Sequence, residues 1–551
     1  MVWGQAYRGG MSAAERSFAM DAAGSSPSAA AAAEAAPLVP RRWWVLATVS
    51  LAQLMVVLDV TIVNIALPDA QRDLAISNND RQWVVTAYAL AFGGLLLLGG
   101  RLSDLVGRRK IFLIGLIGFA VASATGGAAP TFEVLVIARS VQGVCAALLA
   151  PSALSVLTTT FTVPKERSRA FGVYGGIAGA GGAIGLLLGG FLTEHFSWRW
   201  TMYVNLIFAL CAVLGAFAFL SGARGVRQRL DIAGAVLGGG GLFCLVFGFS
   251  RAEPDGWSSP LTWLPLALAA LLLVLFVYRQ RTAGQVALLP LIVVTDRNRG
   301  AAFISIFSTG AAVFGAFLFG TYYMQQNLSY SPLKTGVAFL PMVLALIVAS
   351  QLCTNMWLPR FGPKIMVPLG LLLAAAGMAS MATISVTSSY SRHLLPGLII
   401  MGVGIGLAMS GSIQTATLGV DREHAGVASA VVSTAQQVGG AIGTAVLNTI
   451  ATSVAAAYLA GAHVMAAAQG AGLSAAQLGA AVEQLQSDPT HLAGLTQAQA
   501  QAVQAIAGQA AVDSYTRVFW VSAGIWAGAA LITAVMFRRR KDSLARRVDP
   551  V

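Results

Sequence analysis

WWVLATVSLAQLMVVLDVTIVNIA, residues 43–66, is an apolar run interrupted by a single charge, Asp59. A hydrocarbon core of about 30 Å needs roughly 20 apolar residues of helix, so this stretch is long enough to cross a bilayer. Thirteen more such stretches follow, near 82–100, 111–129, 134–158, 169–192, 200–220, 232–250, 261–279, 300–322, 336–357, 365–386, 393–417, 427–455 and 516–537. In lipid every backbone N–H must be paired within its own segment, so runs of this length are helices. The expected fold class is an all-α polytopic membrane protein with 14 transmembrane helices.

The composition agrees. Hydrophobic residues make up 56% of the chain and charged residues only 10%, against about 25% charged in soluble domains. The 60 glycines suit helices that approach closely inside a membrane. A net charge of +13 raises the question of a nucleic-acid partner, which the distribution of charge answers. With the N-terminus in the cytoplasm, 27 of the 35 Lys and Arg fall in the tails and inward loops, 7 fall outward, and Arg139 lies within a span. That asymmetry is the positive-inside rule, and its expected partner is the lipid bilayer rather than nucleic acid. Residues 1–42, rich in Ala, Ser and Gly, read as a disordered cytoplasmic tail without a signal-peptide core. Trp43 and Trp44 stand where an interfacial anchor belongs, and 539–551 read as a basic cytoplasmic tail. The four cysteines show no metal-ligand spacing and read as small apolar residues.

Charges at membrane depth are costly and ask for a reason. Asp59 lies in span 1 and Arg139 in span 4, and the two spans run in opposite directions. Both residues therefore fall in the outer half, roughly 10 Å or more below its surface. Opposite charges at matched depth suggest a pair or a shared hydrogen-bond network. One reading is a static salt bridge that helps the helices pack. The other is proton coupling: burial favours the neutral acid and a nearby cation favours the carboxylate, so a movement that changes their separation loads and releases a proton. Met55, Asp59, Ile62, Val63 and Ala66 share one helical face, which aims the acid from an apolar stripe into a cavity. No other energy source is written in the chain. A phosphate loop needs GxxxxGK[ST], and only Lys334 precedes a Thr, with Leu333 before it. The five histidines are scattered, so neither a metal site, a cofactor nor an enzyme is expected.

Several strings then occur in order. Residues 58–68 read LDVTIVNIALP, and 99–110 read GGRLSDLVGRRK between spans 2 and 3. Span 4 carries ARSVQG with Arg139, Gln142 and Gly143; span 5 ends in GGAIGLLLGG, residues 181–190; Trp198-Arg199-Trp200 and Asn205 follow. With fourteen helices, residues 43 to about 540 resemble the major facilitator superfamily, in its fourteen-helix drug:proton antiporter branch. That resemblance implies two six-helix bundles, 43–220 and 286–538, with two linking transmembrane helices between them in 221–285. It implies proton coupling at Asp59 with Arg139, and a cytoplasmic gate at Gly100, Asp104, Gly107, Arg108 and Arg109. It assigns Gly181, Gly185, Gly189 and Gly190 to the helix-packing motif of antiporters, where the family normally has a proline at the position of Leu186. Residues 357–364, WLPRFGPK, resemble the first gate loop but lack its Asp, as in an internal repeat with one side decayed. Asp231 reads as an end residue of span 7 rather than a coupling site.

Substrate clues are sparse. Phe303, Phe307, Gly310, Phe314, Phe317 and Thr321 fall on one face of span 9. That face either meets lipid or lines a cavity suited to flat, apolar or cationic compounds. With Asn64, Gln142 and Gln436, the phenylalanines 303, 307 and 314 form the candidate cavity set. Residues 456–515 form a long outward loop free of Lys and Arg, with capping boxes at Ser474–Gln477 and Thr496–Gln499 that predict two short surface helices. The expected function is a monomeric exporter of small organic compounds in the inner membrane of a bacterium, driven by protons and free of cofactors. A proton-coupled importer of a small solute and a non-transporting membrane sensor are the alternatives.

Overall fold

The computed structural model describes residues 41–76, 83–222, 231–284, 287–418, 420, 425–487 and 495–538. All but the last two residues of the expected N-terminal tail, the whole of the basic tail at 539–551, and the side chains of Asn64 and Leu186 lie outside the described residues. Among the described residues, fourteen long helices carry the fold. The first six are α1 (Arg42–Asp73), α2 (Trp83–Val106), α3 (Arg108–Gly127), α4 (Phe132–Thr160), α5 (Pro164–His195) and α6 (Trp200–Phe219). The linking pair is α7 (Ile232–Asp255) and α8 (Pro260–Thr282). The second half has α9 (Arg297–Tyr322), α10 (Pro332–Leu352), α11 (Pro363–Met381), α12 (Leu395–Thr417) and α13 (Ala425–Leu459), then α14 (Ala462–Gly470), α15 (Ala475–Ser487) and α16 (Gln497–Met536). Thirteen of the described helices are apolar and long enough to cross a membrane. The glycine-dense α5, with 32 residues, is the fourteenth long one.

Helices α1–α6 form one bundle, and α9–α13 with α16 form the other. Small residues decide the contacts. In the first bundle α1 packs on α4, α5 and α6, while α4 packs on α2 and α3. The bundles meet along α2 with α13 and α5 with α10, joined by α4 with α13 and α5 with α12. A Cβ at Gly99 would come within 2.0 Å of the Ala147 carbonyl oxygen, and one at Gly100 within 2.7 Å of that of Gly426. Both positions allow backbone-to-backbone approach that no other residue permits. The α7–α8 hairpin lies outside this pair. It packs α7 on α2 and α13, ties Trp257 Nε1 to Thr449 Oγ1 at 2.9 Å, and leaves Leu264 and Tyr278 mostly exposed, as helices facing lipid do. Asp231 caps α7 by accepting from Gly234 N (3.0 Å), and it also accepts from Arg279 Nε (3.2 Å) and Gln280 Nε2 (3.3 Å).

Two expectations need correction. Helix α1 extends to Asp73, beyond the expected end at 66, because Ala66 and Ala70 pack with Leu135, Trp198 and Met202 in a small core of their own. There Asp73 accepts from Trp198 Nε1 (2.9 Å) and Arg199 Nη2 (3.0 Å). The Trp198 hydrogen bond, with Arg199, holds this carboxyl below the usual carboxylate range. The second correction concerns 456–515. The Ser474 box does open a short helix, with Gln477 N donating to Ser474 Oγ at 3.3 Å. The Thr496 box instead opens the 40-residue α16, about twenty residues before the expected start of the last span. A bilayer of about 30 Å needs only half that length, so α16 projects beyond it. Its projecting part packs Val503 and Ile506 with Val464, Leu473 and Leu478 of the loop helices.

Candidate functional site

Asp59 is fully buried, on the face of α1 turned toward α3, α4 and α6 rather than into an open cavity. Its Oδ2 accepts from Arg139 Nη1 at 2.5 Å. Its Oδ1 accepts from Asn205 Nδ2 (2.8 Å) and Gln142 Nε2 (3.1 Å). Gln142 in turn donates to Ser123 Oγ at 2.7 Å and accepts from Arg139 at 2.9 Å. Arg139 completes its set on the Val84 carbonyl (3.1 Å), with its guanidinium 4.5 Å from the centre of the Tyr88 ring. Residues of α4 and α6 thus hold the α1 carboxylate directly, and α2 and α3 join the network through Arg139, Gln142 and Asn205. A buried ion pair needs further hydrogen bonds to support it, and here Asn205 and Gln142 supply them to Asp59 and the Val84 carbonyl to Arg139.

Asp59 and Arg139, at matched depth in the sequence, are in contact in the structure. Gln142 is corrected: expected in the substrate cavity, it is buried inside the charge network. Ser123, Tyr88 and Asn205 carried no assigned role in the sequence. Neutral polar groups are common enough in membrane helices that only position singles them out, and position needs the fold.

The opposite face of α1 meets α5. A Cβ at Gly181 would lie 2.4 Å from Val57, one at Gly185 1.8 Å from Thr61 Oγ1, and one at Gly189 3.2 Å from Ile65. These three glycines, four residues apart, form the groove that holds α1 in register. Gly190 is buried off this line. Helix α5 is continuous from Pro164 to His195.

At the end of the molecule that carries Arg42, Arg108, Arg297 and Arg538, here the basic end, Asp104 is buried at the close of α2. Its two oxygens accept from the backbone N–H of Gly426, near the start of α13 in the other bundle, at 3.2 and 3.1 Å. The first N–H groups of a helix lack intrahelical partners and carry positive partial charge, so a carboxylate is their natural complement. Arg108 Nη2 donates to Asp104 (3.2 Å) while its Nε donates to Ser155 (2.6 Å). Gly107 holds φ 108°, which only glycine adopts freely, and Gly362 in the repeat loop holds φ 73°. Arg109 is corrected: it donates to the Phe217 carbonyl on α6 (3.1 Å) and takes no part in the contact with α13.

The phenylalanine stripe is also corrected. Phe303 is buried in the main core, whereas Phe307 packs with Leu97, Leu242, Phe276 and Val438 on the side of the linking hairpin. Phe317 lies tilted against Phe339, ring centres 5.0 Å apart, and faces Gly182 of α5 at the seam between bundles. Phe314 is half-buried and Gln436 exposed, so the set lines no single wall. Apolar faces in a membrane helix look alike whether they meet lipid, core or cavity.

Two six-helix bundles with a charged centre in one of them define the class as a polytopic helical membrane protein. The model of the Major Facilitator Superfamily matches residues 49–444, and the chain belongs to that superfamily. It is 51% identical to the puromycin resistance protein of Streptomyces alboniger over 76% of this chain and 84% of that one. It is 35% identical to the tetracenomycin C resistance and export protein of Streptomyces glaucescens, over 78% and 79% of the two chains. It is 36% identical to the cephamycin export protein of Amycolatopsis lactamdurans, over 73% and 83%. The proton:xylose symporter XylE has the same fold, with a TM-score of 0.56 at 13% identity over 89% of this chain and 94% of that one.

Proposed function

We propose that this protein is a proton-coupled exporter of small organic compounds, working by alternating access between its two bundles. The observation that carries the reading is the buried Asp59–Arg139 pair with Gln142 and Asn205, on a helix whose other face is clamped by the α5 glycines. Protonating Asp59 removes the charge that holds Arg139, Gln142 and Asn205 around it. The network then rearranges, and α1 transmits the change to α5 and through it to α10. Export rather than import is supported by the resistance and export relatives, and these also favour antibiotic-like substrates. The positive-inside distribution supports a cytoplasmic basic end in a bacterial inner membrane, with both termini on that side. The conformer described has Asp104 engaged, which is the state closed on that side. One chain contains both bundles, so a monomer suffices.

The energetics are adequate. One proton crossing about 150 mV releases about 3.5 kcal/mol, enough for a concentration ratio of a few hundredfold. The test is accumulation of puromycin and of a fluorescent lipophilic cation in drug-sensitive cells expressing the protein. Export predicts lower accumulation than in control cells, restored to control level by a protonophore. Higher accumulation would reverse the direction, and indifference to the protonophore would remove the coupling.

Asp104→Asn should slow this export about tenfold. It keeps the shape of the side chain and loses both the charge facing α13 and the pair with Arg108, a change of charge-assisted hydrogen bonds worth about 1.5–3 kcal/mol. Initial efflux rates measure it, and a wild-type rate would remove Asp104 from the gate.

A further inference from the structure

Arg167 reaches across the same seam from the other side. It lies in the first turn of α5, with its guanidinium 5.4 Å from the centre of the buried Phe171 ring. Its Nη2 donates to the Thr417 carbonyl at 2.8 Å and to Thr417 Oγ1 at 3.1 Å. Thr417 is the last residue of α12, in the opposite bundle, and is buried. The last carbonyls of a helix lack intrahelical partners and carry negative partial charge. The connection from α12 to α13 is therefore held at both ends by complementary charges from the first bundle. Arg167 of α5 meets the carbonyl end of α12, and Asp104 of α2 meets the N–H end of α13.

We infer that Arg167 is a second, independent latch, which closes the basic end on the α5–α12 side as Asp104 closes it on the α2–α13 side. The inference rests on alternating access as proposed above. Arg suits the task because the two N–H groups of its single Nη2 reach a carbonyl and a hydroxyl together, and the guanidinium stays charged throughout the cycle. Asp104 alone would leave the α5 side held by its packing on α10 and the neutral hydrogen bond from Ser350 Oγ to the Gly172 carbonyl (3.2 Å), with no charged contact. With both engaged, opening requires two separate charge-assisted contacts to break, so the closed state is favoured by their product.

The test uses the full-length protein in lipid nanodiscs, in a variant with its native cysteines replaced and spin labels at Lys110→Cys and Arg360→Cys. These are exposed positions at the basic end of the two bundles. The ratio of short to long label distances reads the closed and open populations. Arg167→Gln should lower that ratio roughly tenfold, the size expected for a charge-assisted hydrogen bond. Asp104→Asn should do likewise, and the double variant roughly a hundredfold, as independent contacts combine. Arg167→Lys keeps the charge but loses the reach of the guanidinium and its place over Phe171, and should fall between. Should Arg167→Gln fail to fold, Thr417→Val removes the hydroxyl acceptor, along with that hydroxyl's bonds to the Ile413 and Gln414 carbonyls of its own helix, and should shift the ratio about threefold the same way. An anchor that merely holds α5 would lower the melting temperature without moving the ratio. An unchanged ratio in Arg167→Gln beside a shifted one in Asp104→Asn would overturn the second latch and leave alternating access standing. If neither variant shifts while wild type shows both distances, the inference fails together with the gate at Asp104.

Discussion

Asp59→Asn abolishes proton-driven export while leaving a folded protein. The substitution preserves shape but offers one oxygen where three donors, from Arg139, Asn205 and Gln142, converge on two. Either orientation of the amide sets an N–H against another donor, at a cost of about 1–3 kcal/mol for the group left unmatched. More consequentially, the amide takes up no proton in the physiological range, so the rearrangement that follows protonation cannot be triggered. Efflux against a gradient should fall to the level of control cells, a loss of a hundredfold or more for a residue that carries the coupling itself. A melting temperature within several degrees of wild type separates lost coupling from lost folding. Retained uphill efflux would move the proton site elsewhere.

Gly185→Val should be nearly as damaging, for a steric reason. Even a Cβ at this position would stand 1.8 Å from Thr61 Oγ1 and 2.8 Å from Thr61 Cβ. Thr61 is β-branched, so its side chain has few rotamers into which to retreat, and α1 itself must move. Overpacking of this kind costs about 1–3 kcal/mol. It also displaces Asp59, two residues along the same helix. Transport should drop at least tenfold, measured as initial efflux rate at equal protein level. The milder Gly185→Ala should be rescued in part by Thr61→Gly, which removes both clashing atoms. Gly175→Ala on the same helix is the control, since nothing lies within 4 Å of its Cβ, and it should transport as wild type. Equal damage at Gly175 and Gly185 would mean that α5 tolerates no side chain for reasons other than α1.

Much of this was legible before any coordinates. Fourteen apolar runs specify fourteen helices because lipid leaves the backbone no alternative. Asp59 and Arg139 were paired from depth alone, since unmatched charges at that depth are too costly to leave apart. What the sequence hid are contacts whose partners are chemically ordinary. Asp104 is written in a motif, but its acceptor role faces a backbone N–H of Gly426, 322 residues away, and any helix start would serve as well. Arg167 meets a carbonyl, which every residue possesses. Asn205 and Ser123 are small neutral groups whose burial beside a carboxylate depends on how α3 and α6 rotate. The length of α16 was missed because its first two turns are Ala and Gln, helical in water yet invisible to a search for apolar runs. The phenylalanines of α9 share a face by arithmetic, but neighbours on three sides divide that face between core, linking hairpin and seam.

The central claim is that Asp59 couples proton movement to solute movement, and proton counting tests it most directly. Purified wild type and Asp59→Asn would be reconstituted in liposomes holding a pH-sensitive dye, with puromycin added on one side. The account predicts a puromycin-dependent proton flux in wild type, directed opposite to the solute, and none in Asp59→Asn. A proton flux of wild-type size in Asp59→Asn would contradict it, and would leave the buried pair as a device for packing α1 against α4.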